Sequence, residues 1–162
     1  MNQISCRTTL ARLIGEENSA LGELVQLLEA EYEHLNANNV AALQNTMERR
    51  QNCVARILRV DEQRQRLCQS CGQPHDPAGL ERVMLWCDPE GTLTDKWQHC
   101  AQVATRARQL NDRNGSLVGA RLKHVQDRLG TLLDNRGDEL ACYDRRGLRR
   151  ALNSGRIVAA EA

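Results

Sequence analysis

The chain has 162 residues, 41% of them hydrophobic and 27% charged, yet only 2% aromatic and with no Phe. A domain of this size buries roughly 70% of its unfolded surface; with so few rings the core must be built from Leu, Val, Ile and Ala, which suits packed helices. The near absence of alternating Val/Ile/Thr runs excludes an all-β fold, and a formal charge of +1 sets up no uniform field toward nucleic acid or anionic membrane.

Leu10, Ile14, Leu21, Leu24, Leu28 and Leu35 step by three, four or seven with Glu residues between them, the spacing of an amphipathic helix lying lengthwise against a long partner. Asn36-Ala37-Asn38-Asn39 ends it, since Asn tolerates left-handed backbone, and Asn39 is placed to N-cap the next helix. That helix carries Val40, Leu43, Met47, Val54, Ile57, Leu58 and Leu67 on one stripe, with Arg49, Arg50, Arg56, Arg59, Arg64 and Arg66 around it. A basic helix joined by a short loop to an acidic one is expected to fold back antiparallel, the ion pairs setting register more than stability.

Cys71-Gly72-Gln73-Pro74 breaks the pattern and Asp76-Pro77 restarts it as a cap followed by Pro at the first helical position. The short helix so opened bears Leu80, Val83, Met84 and Trp86, and Asp88-Pro89-Glu90-Gly91 closes it. From Thr92 a stripe of Leu93, Trp97, Cys100, Val103, Ala107, Leu110, Leu117, Val118, Leu122, Val125, Leu129 and Leu132 predicts a helix of about forty residues, roughly 60 Å long. Beyond Asn135 the periodicity fades into a Gly-punctuated, Arg-rich stretch that still holds Leu140, Tyr143, Leu148, Leu152, Ile157 and Val158. Apolar anchors without a scaffold describe a flexible tail that folds on binding.

The expected fold is therefore all-α: an elongated antiparallel bundle of three long helices with a short connecting helix over residues 1–135, and a flexible partner-binding tail over 136–162. No run approaches the roughly 20 apolar residues of a membrane span and no signal-peptide core follows Met1. A cytoplasmic protein is expected, its seven Cys reduced thiols.

Cys68-x-x-Cys71-Gly72 could form half of a zinc knuckle, but no second C-x-x-C or H-x-x-x-H supplies the other half. On a helix the two Cys are i and i+3 on the apolar face, where small thiols are normally buried. Glu31 and His34 offer one Glu-x-x-His pair of a di-iron bundle site; Gly72, Lys96 and Arg121 stand where His75, His99 and His124 would need Glu. No Ser or Cys is set beside a His and a third group for nucleophilic catalysis, so no enzyme is read, and neither metal nor cofactor is expected. Gly115 and Gly119, like Gly15 and Gly22, have a spacing that allows close helix approach or marks tolerated surface positions. Asn111 and Asn114 are buried register-setting groups, a polar gap where a partner binds, or solvent-exposed positions.

The Leu/Glu-rich opening, the Asn38-Asn39-Val40-Ala41-Ala42-Leu43 restart, the Arg-rich second helix, the long last helix and Tyr143-Asp144-Arg145-Arg146-Gly147 together resemble the FlgN family of flagellar type III export chaperones. The resemblance implies a cytosolic, all-helical chaperone without nucleotide or metal. It binds the C-terminal regions of hook–filament junction proteins, keeps them unpolymerised and delivers them to the export gate. By motif, Tyr143, Asp144 and Gly147 correspond to the gate-docking segment, and Leu140, Leu148, Leu152, Ile157 and Val158 to a cargo-binding tail. A monomer or weak homo-oligomer is expected. The rival readings are a structural coiled-coil subunit of a homo-oligomer and, further off, a small zinc-binding helical module.

Overall fold

The structure is a computed structural model that describes residues 2–139, and side-chain surroundings through residue 132. It is all-α, as expected. Four helices follow in order: α1 (Gln3–Asn36), α2 (Val40–Ser70), α3 (Pro77–Cys87) and α4 (Thr92–Glu139). The chain divides into two units, Met1–Ser116 and one that begins at Leu117.

The helix ends are set by local chemistry. Asn2 accepts from the Ser5 amide at 2.8 Å and starts α1 about two turns before the first leucine of the stripe. Asn38 takes a left-handed φ of 52° between α1 and α2, and Asn39 caps α2 by accepting from the Ala42 amide at 3.1 Å. The end of α2 is a Schellman motif. Gly72 sits at φ 68°, its amide reaches the Gln69 carbonyl and the Gln73 amide reaches that of Cys68, both at 2.9 Å. Asp76 caps α3 through the Gly79 amide at 2.6 Å.

Within the first unit α1 and α2 run antiparallel. Glu17 pairs with Arg64, Glu23 with Arg56 and Glu31 with Arg50, so the partners climb one helix as they descend the other. The start of α4 runs alongside α1 in the same direction: Arg7 donates to Thr92, Asn18 to the Lys96 carbonyl, Arg106 to Glu29 and Asn114 to the Leu28 carbonyl. Because α1 is packed by all three other elements, its apolar face is broad, with Cys6, Leu13, Ala20 and Leu27 on one seven-residue register and Ile14, Leu21, Leu28 and Leu35 on another, all buried. Leu10, Leu13, Ile14 and Leu28 are at most 1% exposed, each worth about 1.5–3 kcal/mol of burial.

The other helices correct the expected stripes. On α2 the buried register is Thr46, Cys53, Val60 and Leu67, seven residues apart, while Val40, Met47, Val54 and Leu58 stand exposed. Small side chains let α2 lie close on α1, and the larger aliphatics turn to the next face. On α3 Cys87 is buried and Trp86, read as an apolar-face residue, is exposed. On α4 the buried positions are Leu93, Cys100, Ala107, Leu110 and Asn114; Val118, Leu122, Val125, Leu129 and Leu132 of the same stripe are exposed. A Cβ added at Gly15, Gly22, Gly115 or Gly119 would meet nothing within 4 Å, so no close helix approach occurs at these glycines. The close approach is at Gly79, where a Cβ would collide with the Pro74 carbonyl oxygen.

A candidate partner-binding surface

The main core gathers at the start of α1, where Cys6, Leu10, Leu13 and Ile14 meet Leu67 and Cys68 of α2, Leu80, Val83, Met84 and Cys87 of α3 and Leu93 of α4. Its edge is tied by Asp88. One carboxylate oxygen accepts from the Leu93 amide at 2.6 Å, the other from the Thr92 hydroxyl at 3.0 Å and the Arg7 guanidinium at 3.1 Å. The Leu93 amide, helped by Thr92 and Arg7, holds the Asp88 carboxyl below the usual carboxylate range. Asp88 therefore joins three elements, a role invisible when Asp88-Pro89-Glu90-Gly91 is read only as a helix stop.

Midway along, Arg64 lies in a polar layer inside the bundle. It binds Glu17 across α1, reaches Asp61 at 2.5 Å and stacks over the Trp97 ring at 4.9 Å, which gives a mostly buried guanidinium two anions and a π face. Further on, Asn114 is 3% exposed and donates to the Leu28 carbonyl at 2.8 Å and to Glu31 at 3.0 Å. Of the three readings open for the asparagines, Asn114 fits the buried register-setting group, while Asn111 is exposed and accepts from Arg50 at 3.3 Å.

Cys68, of the Cys-x-x-Cys pair, is fully buried in the core, and Cys71 caps α2 with its sulfur 3.8 Å from that of Cys6. Burial pushes the thiols of Cys6, Cys53, Cys68 and Cys87 above their ordinary range. That of Cys100 is pushed up to about 11 by burial, with Glu17 adding to the effect. Among the described residues no group of His, Cys, Asp or Glu is arranged to hold a metal ion, and none of their helices is long and apolar enough to cross a membrane.

Two apolar surfaces of the described chain stand open. In the first unit, an open groove of about 680 Å³ lies between α2 and α4 over the Leu21, Leu24 and Leu28 floor; Val54, Ile57 and Leu58 form one wall, Ala104 and Ala107 the other, with Arg50, Arg108 and Asn111 at the rim. In the second unit, Val118, Leu122, Val125, Leu129 and Leu132 are 48–61% exposed. They step by four and three along α4, the spacing by which one helix presents a seam to another. The motif residues Leu140, Tyr143, Asp144, Gly147, Leu148, Leu152, Ile157 and Val158 lie outside the described residues.

The family model described as FlgN protein matches residues 3–151, nearly the whole chain. The protein belongs to the FlgN family, a family of flagellar export chaperones. Nothing among the curated proteins or the solved structures matches it.

Proposed function

We propose that this protein is a cytoplasmic chaperone for hook–filament junction proteins. It binds the C-terminal helices of these cargoes, keeps them from polymerising and delivers them to the type III export gate, acting by binding alone, without catalysis or cofactor. The observation that carries the reading is the exposed seam of α4, Val118 to Leu132, on a member of the FlgN family. Five aliphatic side chains at three- and four-residue steps are what a cargo helix with its own apolar face needs for docking. Such a cargo helix would otherwise pair with its own kind during assembly.

The segment beyond the described helices completes the proposal. Leu140, Leu148, Leu152, Ile157 and Val158 add cargo anchors, and Tyr143, Asp144 and Gly147 dock the loaded chaperone at the gate. Aromatic anchors at such contacts commonly cost about 2 kcal/mol or more when truncated. Tyr143→Ala is therefore expected to weaken gate binding by roughly thirtyfold while leaving cargo capture intact. Leu122→Glu with Leu129→Glu is expected to abolish cargo capture, both positions being more than half exposed and free to change without harm to the core.

The test is to titrate a cargo C-terminal fragment and the gate's cytoplasmic domain into the full chain and each variant. Unchanged affinity of the seam variant for cargo would refute the proposal. The coiled-coil subunit predicts instead a concentration-dependent mass in light scattering that the same seam variant dissolves.

A further inference from the structure

We propose that the groove between α2 and α4 in the first unit is a second docking surface, and that its occupant is an acidic amphipathic helix of another protein. The argument starts from the unequal walls. The α2 side presents Val54 at 39% and Leu58 at 59% exposure, large aliphatics that a monomeric bundle gains nothing by displaying. The α4 side presents Ala104 and Ala107. Small residues on one wall and large ones on the other leave a channel into which an incoming helix can lower leucine-sized anchors one turn apart. At about 680 Å³ the groove falls within the roughly 300–1,000 Å³ of ligand clefts.

Charge selects the occupant. No Asp or Glu lines the groove, and its two charged liners are Arg50 and Arg108. Arg50, Arg56 and Arg106 are held by Glu31, Glu23 and Glu29 of α1. Of the two that line the groove, Arg50 is held by Glu31, which leaves the exposed Arg108 to set its sign and to favour a negatively flanked partner over a basic one. A second copy of this chain is a poor match: its exposed seam on α4 is flanked by Arg121, Lys123 and Arg128 with only Asp127 opposing.

The surface is separate from the seam assigned to cargo, and the experiment keeps the two apart. Two synthetic helical peptides with the same leucine spacing, one flanked by Glu and the other by Lys, are titrated into the full chain by fluorescence anisotropy. The Glu peptide is expected to bind at least tenfold more tightly than the Lys peptide. Leu58→Glu and Arg108→Glu, both at exposed positions and checked for an unchanged circular dichroism melt, should each weaken the Glu peptide by roughly tenfold or more. Arg108→Glu should also narrow the preference between the peptides, whereas Leu122→Glu with Leu129→Glu should leave Glu-peptide binding unchanged. Equal binding of the two peptides, indifference to both groove variants, or loss confined to the seam variant would overturn the proposal. So would a dimer in light scattering that Leu58→Glu dissolves, because a second copy would then be the occupant.

Discussion

Asn114 offers the sharpest test of how the bundle holds its register. Its amide is buried and makes two hydrogen bonds into α1, one to the Leu28 carbonyl and one to the Glu31 carboxylate. A bond to a neutral acceptor contributes about 0.5–1.5 kcal/mol and one to a charged group about 1.5–3, so Asn114→Ala is expected to cost about 3 kcal/mol. Domains of this size lose roughly 2–4 °C of Tm per kcal/mol, so the melting point should fall by roughly 6–12 °C. Asn114→Asp should cost more at neutral pH, since it sets a second carboxylate against Glu31 where an amide donor had been. Arg50, 3.4 Å from Glu31, relieves only part of that repulsion. The folded-state pKa of the new Asp would be raised above its unfolded value, so its penalty is present at pH 7 and fades as pH falls and the folded protein takes up the proton. Thermal melts followed by circular dichroism from pH 7 down to pH 5 measure both effects. If Asn114→Ala melts within a degree of the parent, or if Asn114→Asp shows no recovery relative to Asn114→Ala on acidification, Asn114 does not fix the helix register.

Asp88 supplies a second pH test with the opposite sign. Its folded-state carboxyl is held below the ordinary range, so it contributes stability above the unfolded pKa near 4 that is lost as pH falls through the folded value. Asp88→Asn should flatten that acid limb of the stability curve; an unchanged limb would mean the Leu93, Thr92 and Arg7 contacts do not act through charge. At Gly79 a methyl group would collide with the Pro74 carbonyl, so Gly79→Ala, elsewhere a favourable helix change, should destabilise by about 1–3 kcal/mol in urea unfolding. A stabilised variant would show that the turn before α3 yields freely.

The parts of this fold that were legible in the sequence are those decided within a few residues. Asn39 and Asp76 as caps, Gly72 as a helix end and the acidic–basic pairing of α1 with α2 all follow from chemistry that one chain segment displays. Which aliphatics would be buried did not follow in the same way. Periodicity assigns Val54, Leu58 and Met47 to the apolar face of α2, but the positions buried in the bundle are Thr46, Cys53, Val60 and Leu67. The start of α1 was missed because Gln3 to Thr9 carry a single core residue, Cys6, among exposed neighbours. The roles of Asp88, Arg64 and Asn114 depend on partners on other helices and have no local signature. The docking groove was hidden for the same reason, since a wall of alanines on α4 becomes a channel only beside large side chains on α2.

The connectivity has a kinetic consequence. The α1–α2 hairpin closes through a short turn at Asn36–Asn39 and is carried by local pairs that bring Glu31 to Arg50 and Glu23 to Arg56, so its loop-closure cost is small and it can form early. The contacts of α4 with α1 span far more of the chain, as between Leu28 and Asn114. During synthesis the hairpin is complete well before α4 leaves the ribosome. Until then Leu28, which packs on Ala107 and Leu110, lacks its α4 cover. A nascent chain of this protein therefore passes through a stage in which part of the apolar face of α1 is still without its α4 cover.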